Sequence, residues 1–112
     1  MADYKEFIDE ASGLGRLMNN QSLYNRLLSS FNGEEIADEI KAFIESGNYT
    51  EAAASAHKIK GVSANLSLLK LQEASLNLEM ALKSDSPPSS LSEEYYAVVR
   101  NTKAAIDAYI SK

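Results

Sequence analysis

Apolar residues recur every three or four positions along most of this 112-residue chain. No segment alternates apolar and polar residues with the period of two that marks a half-buried strand. The apolar stripes lie at about 4–11, 23–31, 36–44, 50–66, 68–83 and 91–110. This pattern predicts an all-α fold, an antiparallel up-and-down four-helix bundle with one or two additional N-terminal helices.

Breaks between the stripes set the predicted boundaries. Ser12-Gly13 is expected to end the first helix, Asn32-Gly33 marks a turn or kink, and Thr50-Glu51 is expected to open the helix that carries the only histidine. Pro87-Pro88 cannot continue a helix. We therefore expect one domain over 1–112, with a histidine-bearing helix at about 50–66, a following helix at about 68–83, a loop at 84–90 and a C-terminal helix at about 91–110.

Helix faces follow from the same spacing. On the histidine-bearing helix, Ser55, Ile59, Val62 and Leu66 are predicted to point inward. On the next helix the predicted buried stripe contains Leu71, Ser75 and Leu78, and three further apolar residues are expected to widen it: Leu69, Leu76 and Met80.

Composition excludes several functional classes. The formal net charge is −5 and the eleven basic residues are scattered, which argues against nucleic-acid binding. With no cysteine and one histidine, we expect no metal site and a reducing compartment. No apolar run approaches the ~18 residues that span a bilayer, and the N-terminus lacks the basic start and apolar run of a signal peptide. We expect a cytoplasmic monomer that does not bind membranes.

His57 is predicted to lie on the outer face of its helix, opposite the inward residues. Its neighbours one and two turns away are small, with one ammonium among them: Ala53, Ala54, Lys60, Gly61 and Ala64. Glycine in a helix interior costs roughly 1 kcal/mol relative to alanine. The small side chains would let a second protein approach the ring, and Lys60 would attract negative charge to it.

The segment Ala56-His57-Lys58-Ile59-Lys60-Gly61, followed by Ser63-Ala64-Asn65-Leu66 and by Leu78-Glu79, resembles the signature of histidine phosphotransfer (HPt) domains. These domains are the relay modules of multistep two-component signalling. The resemblance extends from about Gly13 to Lys83. Ser67 departs from it, because the family often has glycine between the two helices.

The resemblance implies a phosphocarrier that has no enzymatic activity of its own. His57 would accept a phosphoryl group from a receiver-domain aspartate and pass it to another receiver, Lys60 would offset the phosphoryl charge, and Glu79 would hold the other ring nitrogen. Gly61 would give the partner clearance, with Ala53, Ala54 and Ala64 around it. The partners implied are response-regulator receiver domains, a hybrid histidine kinase, or both. No cofactor is expected on this chain, which has no nucleotide-binding motif, and Mg²⁺ is expected on the receiver.

Other interpretations of Glu79 and of the chain as a whole stay open at this point. Glu79 is four residues before Lys83, so the two could form an ordinary ion pair on one helix face. The chain could also be a helical adaptor that docks receiver domains without phosphotransfer. A third alternative is the detached phosphoacceptor domain of a hybrid or chemotaxis-type histidine kinase.

Overall fold

The computed structural model describes residues 4–84 and 91–111, and the side chains of 91 and 92 are left out of the description. A 3₁₀ turn, Tyr4–Glu6, is followed by the helices α1 (Glu10–Arg16), α2 (Gln21–Ser29), α3 (Gly33–Glu45), α4 (Tyr49–Leu66), α5 (Leu69–Leu82) and α6 (Leu91–Ser111). The described residues contain no strand, only an isolated bridge between Ile8 and Leu68. The all-α prediction is therefore confirmed. Residues 85–90 of the predicted loop lie outside the described residues.

Four of the helices form the bundle around the core. α4 packs against α3 and α5, and α6 packs against α5 and α3, so the ring of contacts closes. α1 and α2 are the two additional N-terminal helices, and α2 contacts both α4 and α6. The core holds large apolar side chains from all four bundle helices, including Ile40, Ile59, Leu71, Val99 and Ile106. Each such side chain stabilises the fold by about 1.5–3 kcal/mol when it leaves water.

Asparagine and aspartate side chains cap the starts of three helices. Asp9 Oδ1 accepts from Ser12 N at the start of α1, and Asn20 Oδ1 accepts from Leu23 N at the start of α2. Asn48 Oδ1 accepts from Glu51 N at the start of α4. Helix α4 is therefore capped by Asn48 and begins at Tyr49, one residue before the Thr50-Glu51 start expected from the sequence. The side chain just before the first turn is the one that can accept from it.

The prediction that Ser12-Gly13 ends the first helix is wrong. α1 begins at Glu10 and runs through Gly13. The chain before it is pinned to the α4–α5 turn, where Leu69 N donates to Phe7 O at 2.8 Å and Asp9 N donates to Ser67 O at 2.9 Å. Gly13 is buried, and a Cβ there would lie 2.5 Å from the Tyr24 ring. Gly13 therefore serves close packing between α1 and α2, not helix termination.

Two predicted faces also need correction. On α4, Val62 is exposed and Ser63 is buried in its place, donating from Oγ to Ile59 O. The inward face of α4 runs through Ala52, Ala56, Ile59, Ser63 and Leu66 in alternating steps of four and three, and Ala53 beside it is also buried. On α5 the three residues expected to widen the buried stripe are all exposed: Leu69, Leu76 and Met80. The buried face of α5 is narrow because α4 and α6 cover only one side of it.

Candidate functional site

His57 lies on the outer face of α4 with 65% of its side chain exposed. Ala54 and Gly61 beside it are exposed and Ala64 is partly buried. Ala53 is buried, which disagrees with the accessible position expected for it. The ring opens onto a groove of about 650 Å³ between the start of α4 and the end of α5. Ala53 and Ala54 are among the residues that line this groove.

Glu79 reaches the histidine ring from α5. Its side chain is only 8% exposed, and His57 Nδ1 lies 3.0 Å from Oε2 and 3.2 Å from Oε1. The contact that the resemblance implied is therefore present. α4 and α5 pack side by side, and this brings together two residues that are 22 positions apart in the chain.

Two lysines share the same carboxylate. Lys60 Nζ lies 3.2 Å from Glu79 Oε1, and Lys83 Nζ lies 3.1 Å from Oε2. The ordinary ion pair between Glu79 and Lys83 thus coexists with the histidine contact, and neither alternative excludes the other. Glu79 accepts from three side chains, so a largely buried charge has the partners that burial requires.

This environment fixes the charge of Glu79. The hydrogen bond from Lys83, followed by those from Lys60 and His57, outweighs the effect of burial and lowers the pKa of Glu79 from 4.5 to about 2. The carboxylate is therefore ionised at neutral pH and can only accept hydrogen bonds.

The ionised carboxylate in turn fixes the tautomer of His57. Because Glu79 cannot donate, the proton between the two groups belongs to Nδ1 of the ring. In a neutral imidazole with its proton on Nδ1, the lone pair is on Nε2. No described residue hydrogen-bonds Nε2, so the nitrogen that carries the lone pair is left free on an exposed ring.

The structure assembles His57, Lys60 and Glu79 into one cluster and adds Lys83 to it. Sequence reasoning treated Lys83 only as a competing partner for Glu79. The i,i+4 spacing identified the pair, but it gave no sign that the pair and the histidine meet. Tyr49 and Thr50 also line the groove. Sequence reasoning assigned Thr50 only to the helix start and gave no role to Tyr49.

Within the part of the chain that the structure describes, no group of three or more metal-binding side chains comes together. Among the same residues, none of the helices combines the length and the apolar character needed to cross a bilayer.

Comparison with known proteins identifies a family. A family model described as "Hpt domain" matches residues 26–109, about three quarters of the chain. The match contains α3, α4 and α5, all of α6 except its last two residues, and all four members of the charged cluster. No curated protein and no solved structure matches the chain.

Proposed function

Since the chain belongs to the Hpt domain family, whose members carry out histidine phosphotransfer in phosphorelays, we propose that it is a phosphocarrier whose acceptor is His57. The phosphoryl group would come from an aspartyl phosphate on a receiver domain and pass to a second receiver aspartate. The Mg²⁺ that such a transfer uses would be held by the receiver.

One observation supports this proposal more than any other. An exposed imidazole has its Nδ1 proton held by a buried, ionised carboxylate, at 3.0 Å. Phosphoryl transfer depends mainly on alignment and charge neutralisation. The Glu79 contact supplies the alignment by orienting the ring, and it stabilises the positive charge that the ring gains on transfer.

The transfer step follows from this tautomer. The Nε2 lone pair forms the N–P bond while the P–O bond to the receiver's carboxyl group breaks, and the electron pair of that bond stays on the receiver's carboxylate. The ring gains a positive charge and keeps its proton on Nδ1, hydrogen-bonded to the Glu79 carboxylate. Transfer to the next receiver is the same step in reverse, with the Nε2 lone pair regenerated.

The surface beside the ring supports the approach of a partner. A Cβ built on Gly61 meets no atom within 4 Å, so packing within this protein does not require glycine there. An exposed glycine in a helix interior lowers helix stability by roughly 1 kcal/mol relative to alanine. We attribute its presence to a receiver backbone that passes close to α4.

The test is phosphotransfer from a purified receiver. The protein is incubated with ³²P-labelled phosphorylated receiver and Mg²⁺, and the expected product is a label on this chain that is acid-labile and base-stable. His57→Gln should abolish the label. Lys103→Gln is the matched surface control, since Lys103 is exposed on α6 and pairs only with Asp107 among the described residues.

Two outcomes would contradict the proposal. Wild-type protein that stays unlabelled with several receivers would favour an adaptor that docks them without accepting phosphate. A label that survives His57→Gln would place the acceptor elsewhere in the chain.

A further inference from the structure

The two lysines on Glu79 are not equivalent. Lys60 binds Oε1 and is 28% exposed, whereas Lys83 binds Oε2 and is 65% exposed. Oε2 is also the oxygen closer to His57 Nδ1. A single carboxylate oxygen therefore separates the Lys83 ammonium from the histidine ring.

The groove distinguishes the two lysines further. Lys83 lines the groove onto which His57 opens, together with the polar residues Tyr49 and Thr50, and Lys60 is not among its lining residues. His57 and Lys83 both line the groove, so a phosphoryl group that Nε2 carried into it would share the groove with the Lys83 ammonium, whereas Lys60 does not line it.

From these differences, and resting on the proposed function, we infer that Lys83, not Lys60, binds the phosphoryl oxygens once His57 is phosphorylated. Lys83 would exchange its Glu79 contact for the phosphoryl group, while Lys60 would stay on Oε1. This reverses the roles expected from the sequence, in which Lys60 offset the phosphoryl charge.

The exchange is feasible because the Lys83 side chain is 65% exposed, so that water and salt screen its contact with Glu79, and because the four-carbon stem of lysine is flexible. The charges also favour it. Phosphorylation makes the ring cationic, so Glu79 keeps two cationic partners, His57 and Lys60, after Lys83 leaves. The phosphoryl group brings new negative charge within reach of Lys83.

The experiment measures the charge near the phosphoryl group directly. Wild-type protein is phosphorylated with phosphoramidate, a small donor that releases ammonia and needs no receiver. The pKa of the phosphoryl group on His57 is then obtained by titration of its ³¹P NMR signal. A neighbouring ammonium lowers that pKa, so Lys83→Gln should raise it by about 0.7, the change that one unit charge in contact through water produces.

Matched variants separate this role from a structural one. Lys83→Arg should keep the wild-type value because it keeps the charge. Lys60→Gln should raise the pKa less than Lys83→Gln does, and Lys103→Gln on α6 should leave it unchanged. An equal pKa in wild type and Lys83→Gln, or a larger rise in Lys60→Gln, would refute the inference while the phosphocarrier proposal stands. Wild-type protein that phosphoramidate cannot label at His57 would contradict both.

Discussion

Replacement of Gly61 should make the protein more stable and a poorer acceptor from a receiver. The residue lies inside α4, and the open space around a Cβ there means that alanine introduces no clash. Alanine is favoured over glycine in an exposed helix interior by roughly 1 kcal/mol. For a chain of this size that gain corresponds to a rise in Tm of about 4 °C.

The effect on phosphotransfer should have the opposite sign. Residues four apart are neighbours on a helix surface, so a side chain at 61 projects towards His57 and into the space where, under the proposed function, a receiver docks. Misplacement of reacting groups by about 1 Å can slow a reaction by 10²-fold. We expect Gly61→Ala to slow transfer from a phosphorylated receiver and Gly61→Gln to slow it by at least about tenfold.

The assay combines thermal melting by circular dichroism with two phosphoryl donors. Gly15 supplies the control, since it is also helical and its Cβ would also meet no atom within 4 Å, but it lies in α1. Gly15→Ala and Gly15→Gln should leave transfer unchanged. Labelling by phosphoramidate should fall less than transfer from the receiver in the Gly61 variants, because this donor needs little space.

A Gly61→Gln protein that accepts phosphate from the receiver at the wild-type rate would refute the docking argument. Equal losses with receiver and phosphoramidate would instead show that the new side chain covers His57 itself. A fall in Tm for Gly61→Ala would mean that the glycine serves packing after all.

Three further predictions concern stability, each measured by urea unfolding. Because the pKa of Glu79 is about 2 in the fold against 4.5 unfolded, its contribution is fully present above about pH 4.5 and is lost as the pH falls towards 2; Glu79→Gln should flatten that part of the stability curve. Gly13→Ala should destabilise by about 1–3 kcal/mol, since the new Cβ would lie 2.5 Å from the Tyr24 ring. Ser75→Ala should cost about 1–3 kcal/mol by leaving the buried Tyr95 hydroxyl, 2.9 Å from Ser75 Oγ, without its partner, and Tyr95→Phe added to it should cost little more.

The helical fold could be predicted because apolar residues recur with the helical period in every bundle helix. Gly13 shows where such reasoning fails. Glycine is favoured after helix ends, but it is also needed wherever another side chain comes close to the backbone. Only the position of Tyr24, eleven residues on, decides between these causes, and that position depends on tertiary packing.

Helix faces were less predictable than the helices. α5 carries leucine on almost every side, so its period does not single out the direction of the core. Leu69, Leu76 and Met80 were consequently expected inside and are exposed. On α4 the opposite problem arises, because the seam is built partly from alanine and from Ser63, which contrast little with the polar face.

The candidate site, too, could be predicted only in part from the sequence. The exposure of His57 and the open surface at Gly61 follow from spacing within one helix. The contact of His57 with Glu79 came only from family resemblance, and the place of Lys83 in the cluster was not foreseen. Contacts between helices depend on their register, which periodicity within each helix does not contain.

That register is set at Ser67, between α4 and α5. Ser67 is left-handed, with φ of 57°, a conformation that costs a residue with a Cβ roughly 1–2 kcal/mol. Its hydroxyl offsets the cost, since it accepts from Arg16 Nη1 and donates to Ser12 Oγ at 3.1 Å, and each such bond contributes about 1 kcal/mol.

These hydrogen bonds explain why serine can stand where the family often has glycine. The turn also sets the position of Glu79 relative to His57, although it lies ten or more residues from both. His57 lies ten residues before Ser67 and Glu79 twelve after it, so the two helices return the chain to nearly the same height. One added residue in α5 would displace Glu79 by about 1.5 Å along the helix and turn it by about 100°. The carboxylate would then move away from the ring, and the Nδ1 proton would lose the partner that leaves the ring's lone pair on Nε2. The chemistry at His57 thus depends on hydrogen bonds to α1 at the turn as much as on its own neighbours.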